Sequence, residues 1–113
     1  MESQRQKKIA GVIQKDLAEI FQRELSGTFS KTPMITVTRV VVSKDLSIAK
    51  VAVSLFAIDD KEAFLEEIKA NASEIRYLLG KRIRHQLRIV PELHFYLDDS
   101  LDYIEHIDNL LKE

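Results

Sequence analysis

No cysteine occurs in the 113 residues. That excludes disulfides, Cys-based zinc sites and thiol nucleophiles, and it suits a reducing compartment. Only three glycines are present, and none belongs to a phosphate-cradling loop or a Gly-x-Ser-x-Gly elbow. No apolar run approaches the roughly 18 residues of a membrane span. The segment from Met1 to Lys8 is polar and leads into an amphipathic pattern, not an apolar signal core. His85, His94 and His106 lack both cysteine partners and a histidine four residues away, so neither a metal nor a cofactor is expected. Nothing nominates a pair of carboxylates for acid–base work. The run Asp98, Asp99, Asp102 and Glu105 reads as acids gathered at a helix N-terminus, where the dipole favours them. These absences leave a soluble, cytoplasmic, non-enzymatic protein. Its 45% hydrophobic content is enough for one core, and residues 1–113 are expected to form a single domain.

Charge of one sign is also scarce overall, with a net charge of −1. The average conceals strong segregation. Residues 1–50 carry a balance of +4, residues 59–74 of −4, residues 76–88 of +5, and residues 92–113 of −6. The segment 76–88 holds Arg76, Lys81, Arg82, Arg84 and Arg88 with no acid among them. A local patch of this kind can bind phosphate whatever the net charge.

Periodicity gives the elements. Ile9, Val12, Ile13, Leu17, Ile20, Phe21 and Leu25 recur at three- and four-residue steps, predicting a first helix that stops near Gly27. Residues 27–33 then read as a loop. Residues 35–43 are rich in β-branched side chains, and 48–56 alternate Ala49, Val51, Val53 and Leu55 with polar or small residues. The short segment Ser43 to Ser47 predicts an antiparallel hairpin. The helical period returns from Asp59 to Leu87, but a straight helix of that length would span about 40 Å. A break is therefore predicted at Ala70–Ser73, where Asn and Ser favour caps over helix interiors. Pro91 opens a third strand carrying Leu93, Phe95 and Leu97. Ser100 is placed as the N-cap of a short final helix, about 100–112, built on Ile104, Ile107, Leu110 and Leu111. The expected architecture is α+β in the order α-β-β-α(kink)α-β-α, a three-stranded mixed sheet with helices on one face. Strands two and three, if neighbours, run parallel.

On a helical wheel at 100° per residue, Lys81, Arg84 and Arg88 point away from Ile75, Leu79, Ile83 and Leu87. They form an outward stripe of one sign, suited to a phosphate backbone. Arg76 and Arg82 fall nearer the apolar edge, where their stems can pack. Two other readings stay open. The helix dipole favours cations near a C-terminus, and the acidic C-terminal segment could pair with them. The break at Asn71-Ala72-Ser73 offers unpaired backbone N–H groups to an anion, or is only a helix curving around the core. Lys7, Lys8, Arg39, Lys44 and Lys50 are further basic residues whose facing the pattern leaves open.

Three segments resemble the ribosome-binding factor A family: Thr36–Ser54 (TVTRVVVSKDLSIAKVAVS), Ile75–Arg84 (IRYLLGKRIR) and Leu87–Leu101 (LRIVPELHFYLDDSL). The match covers nearly the whole chain, and the third segment is the most distinctive. The resemblance implies a type II KH-like fold and a monomer. It implies binding to free immature 30S subunits and 16S rRNA late in assembly, 5′-end processing of 16S rRNA, and cold adaptation. Assembly GTPases are implied as possible partners. KH domains hold single strands with a Gly-x-x-Gly loop between two helices. The family replaces that loop by an Ala-x-Gly kink, and the aligned positions here are Asn71, Ala72 and Ser73, which keep neither the Ala nor the Gly. An extended C-terminal tail, present in some relatives, is not expected. The alternative function is a protein-interaction module docking on a ribosomal protein or an assembly GTPase through segment 98–113 or an exposed sheet face.

Overall fold

The structure, a computed structural model, describes residues 3–25, 34–56 and 58–98. The expected stop at Gly27, the loop 27–33 and the final helix 100–112 lie outside these residues.

The first helix, α1, spans Gln4–Glu19 and starts on a reciprocal cap. Ser3 Oγ accepts the Gln6 backbone N–H at 3.1 Å, and Gln6 Oε1 accepts the Ser3 N–H at 2.7 Å, so two orphan donors are satisfied at once. The α-helix does not continue to Leu25 as the spacing predicts. A π-helical turn, Ile20–Glu24, follows it, closed by Leu25 N–H on the Ile20 carbonyl at 3.0 Å. Its cause lies in the apolar spacing. Ile20, Phe21 and Leu25 are all buried, and the wider turn brings the residue five positions after Ile20 back onto the core side.

Strand β1, Met34–Val42, pairs antiparallel with β2, Ile48–Phe56, and β2 pairs parallel with β3, Glu92–Leu97. The sheet order is β1-β2-β3, and the hairpin and the parallel crossover agree with the expected arrangement. The register shifts between Val37 and Arg39. This bulge explains why Val37 and then Val40 and Val42 all face the core although a flat strand alternates strictly. Thr38, the extra residue, donates its hydroxyl to Asp98 Oδ2 at 2.6 Å. The hairpin turn is held by side chains. Asp45 Oδ1 accepts the Ser43 hydroxyl at 2.8 Å, the Ser47 hydroxyl at 2.7 Å and the Ser47 N–H at 3.1 Å. These bonds support Leu46 in a left-handed conformation, φ 64°, which is costly for a branched side chain.

Helix α2, Lys61–Ala70, is capped by Asp60, and α3, Ala72–Ile83, follows after the single residue Asn71. Phe64 and Ile68 from α2, and Ile75, Leu79 and Ile83 from α3, are buried in one cluster with the strands. Truncating any of these isoleucines to Ala removes about 2–5 kcal/mol of stability. The helical apolar cluster meets Val51, Val53, Leu55, Leu93 and Phe95 on one side of the sheet, and Phe21 meets Phe95 edge-on at 6.2 Å between ring centroids. Met34, Phe56 and Tyr96 are exposed. No helix among the described residues is long and apolar enough to cross a membrane.

Candidate nucleic-acid interface

The break between α2 and α3 falls where Asn and Ser predict it, and Asn71 makes it. Its N–H bonds to the carbonyls of Glu67 (3.2 Å) and Ile68 (3.0 Å), ending α2. Its side-chain amide turns back to the Glu67 carbonyl at 2.8 Å, while its own carbonyl accepts the Ile75 N–H at 3.0 Å, opening α3. With φ −100° and ψ 11°, Asn71 leaves helical geometry and so changes the direction of the chain. Ala72 packs half-buried against the core, and Ser73 is exposed. Of the three kink residues only Ser73 lines the groove that follows.

That groove, of about 480 Å³, is lined by Ser73, Arg76, Tyr77, Gly80, Lys81, Arg84 and Val90. Six of these come from α3 and its C-cap. Positions 73, 77, 80, 81 and 84 recur at helical spacing, opposite the buried Ile75 and Leu79. Val90 belongs to the loop before β3. Arg76 fixes that loop: its Nη2 donates to the Val90 carbonyl at 2.6 Å, and its Nε reaches the carbonyls of Val90 (3.2 Å) and Pro91 (3.3 Å). Gly80 permits the close approach, since a Cβ there would meet a Val90 methyl at 3.2 Å. Lys81 Nζ lies 5.2 Å from the centroid of the Tyr77 ring, a cation–π contact on an exposed surface.

The five cations of the basic segment therefore have different jobs. Lys81 and Arg84 are exposed and line the groove. Arg82 does not point outward. It bonds Glu19 Oε2 at 2.5 Å and Glu24 Oε1 at 2.9 Å, with Asp16 Oδ1 at 3.5 Å, so three carboxylates of α1 and the π turn surround it. The hydrogen bond from Arg82 holds the Glu19 carboxyl below its ordinary value, and the same pairing raises Arg82. Arg88 is exposed but lies outside the helix and the groove. The helix predicted to reach Leu87 ends at Ile83, where the N–H groups of Gln86 (2.8 Å) and Leu87 (2.9 Å) converge on the Ile83 carbonyl. Leu87 still reaches the core through that turn. Its spacing mimics a helix that is no longer there, and the stripe of three loses its helical continuity after Arg84.

Lys7, Lys8, Arg39, Lys44 and Lys50 are all exposed, with Arg39 and Lys50 in the strands. His94 lies 3.6 Å from Glu92. No group of three or more potential metal ligands occurs among the described residues. A second groove, lined by Asp60, Glu62, Ala63, Leu65, Glu66 and Leu97, carries the acidity of α2. The segregation read from the sequence thus becomes spatial, with acid on α2 and cations on α3. Tyr77 was missed by the sequence reading. The signal was available: it stands four residues after Ser73 and four before Lys81, on the outward face.

A three-stranded mixed sheet backed by helices, one pair of them broken at a single residue, defines the KH-like class of α+β domains. Within that class the chain belongs to the ribosome-binding factor A family, whose model matches residues 5–111. The ribosome-binding factor A of Cytophaga hutchinsonii is 48% identical over 113 residues, all of this chain and 84% of that one. A Thermotoga maritima ribosome-binding factor A solved by solution NMR is 27% identical, with a TM-score of 0.69 over 88% of this chain and 92% of that one. A Thermus thermophilus ribosome-binding factor A fitted into a cryo-EM map of its complex with the 30S subunit shares the fold. Its TM-score is 0.66 at 23% identity, over 88% of this chain and 97% of that one. The resemblance carried by the three sequence segments holds over the chain, and the family is one of assembly factors, not enzymes.

Proposed function

We propose that this chain is a cytoplasmic, monomeric assembly factor that binds free immature 30S subunits through 16S rRNA. On this reading it supports late maturation, including 5′-end processing of the rRNA, and growth in the cold, with assembly GTPases acting alongside it. Family membership and the 30S complex of the Thermus relative support this reading. The observation that carries the site is the convergence of Lys81 and Arg84 with Ser73 and Tyr77 in one exposed groove on α3. Two exposed cations on a rigid helix end neutralise phosphates without an internal acid to compete, and Arg88 extends the basic surface along the loop. Arg76 serves by holding the groove wall, and Arg82 by anchoring α3.

Replacing Lys81, Arg84 and Arg88 together by Gln tests the assignment. Circular dichroism should report an unchanged fold, while affinity for free 30S subunits falls at least about tenfold. The salt dependence flattens as well, by a slope of about 0.7 for each phosphate that is no longer neutralised. Wild-type affinity in the triple variant removes the groove as the binding surface.

A further inference from the structure

Resting on that reading, we infer that Tyr77 is a base-stacking platform, so that the groove takes an unpaired nucleotide and not only backbone phosphate. Tyr77 is 63% exposed although it sits on a helix whose opposite face supplies the core. It occupies the middle of the groove, between Ser73 at one end and Arg84 at the other. Polar or charged residues flank an apolar surface made by the ring, Gly80 and Val90. The missing side chain at Gly80 lets Val90 pack close against the helix beside the ring, and Arg76 holds Val90 there as the groove's wall. A groove of about 480 Å³ falls within the range of small-ligand clefts, about 300–1,000 Å³.

The cation placement suits a nucleotide. Lys81 lies over the Tyr77 ring in the protein alone. An exposed cation–π contact is weaker than stacking of a base on an aromatic ring. A base therefore displaces the ammonium from the ring face, and the flexible lysine stem carries it to the phosphate of the same nucleotide. Arg84, one turn further along the same face, meets the next phosphate. A base can reach the ring only when it is outside a duplex, so the preferred ligand is single-stranded RNA, such as an unpaired end or a bulge. One ring stacks every base, which makes the site tolerant of sequence.

Fluorescence anisotropy with a labelled single-stranded RNA octamer, and with an octamer of abasic ribose phosphates, tests this on the full chain. Tyr77→Ala should bind the base-bearing RNA about tenfold more weakly and the abasic strand as wild type does, with the salt slope unchanged. Tyr77→Phe, which keeps the ring, should bind both as wild type does. Circular dichroism of both variants checks folding. The stacking assignment is overturned if Tyr77→Ala binds the base-bearing strand normally, or weakens both strands equally. The Lys81, Arg84, Arg88 triple variant on the same two strands keeps the failures apart. A weakened triple with a normal Tyr77→Ala ends the stacking role and leaves the phosphate site standing. Normal binding by both variants ends both.

Discussion

Arg82 shows how little a residue type says about its employment. It stands among Lys81, Arg84 and Arg88 in sequence, yet its guanidinium is surrounded by Asp16, Glu19 and Glu24. Those partners come from the first helix and the π turn, about sixty residues away, and no local pattern announces them. The consequence is separable by mutation. Arg82→Gln should lower stability by about 1 kcal/mol, a partly exposed network being worth no more, and the melting temperature by roughly 4 °C. Affinity for 30S subunits should stay within about twofold of wild type, because the charge removed does not face the groove. The stabilisation also has a pH signature. Glu19 is held below its ordinary value by the Arg82 hydrogen bond. Its share is complete above the unfolded value and fades as acid takes the pH down through the depressed one. A thermal melt series of wild type and variant should converge at the acid end.

At the scale of elements the hairpin makes the same point through hydrogen bonds. Asp45 is kept ionised by the hydroxyls of Ser47 and Ser43 and by the Ser47 N–H, so its carboxyl sits below the ordinary 3.8. Its contribution is present above that ordinary value and is lost as the pH falls through the depressed one. Asp45→Ala should lower the melting temperature at neutral pH. The gap to wild type should start to narrow only below the ordinary carboxylate value and close once the pH has passed the depressed one. The turn was legible as a turn, but not the left-handed Leu46 that these bonds support. The broken helix was legible too, because Asn71 and Ser73 are poor helix-interior residues in an otherwise apolar-periodic run. Its far end was not. Leu87 keeps the four-residue step from Ile83 while reaching the core by a turn, and periodicity cannot distinguish the two routes. The π turn escaped for a related reason, since Ile20, Phe21 and Leu25 satisfy an α-helical stripe almost as well.

For the molecule as a whole, across the described residues, hydrophobic period and turn chemistry were enough to give the order of elements up to the third strand, and the sheet. Alternation gave the buried Leu93 and Phe95 of β3 and the buried Ala49, Val51, Val53 and Leu55 of β2. It did not give Ala52 and Ser54, which are buried on the opposite face of β2, nor the parity of β1, which the bulge changes between Val37 and Val40. The site was only half visible: charge located the segment, while the groove depends on Val90 and on the ties of Arg76 to the loop. One further feature governs how copies of this protein treat one another. Gln14 Nε2 donates to the Val37 carbonyl at 3.0 Å, and buried Gln6 Nε2 to the Val42 carbonyl at 2.9 Å. Ser43 N–H on the Ile48 carbonyl sets the ladder phase, which turns the Val42 carbonyl away from β2. Side-chain amides of α1 thus occupy acceptors that an outer edge would offer to another strand. The first helix acts as a built-in selvedge, finishing the margin of the sheet so that a neighbouring chain finds fewer threads to pick up.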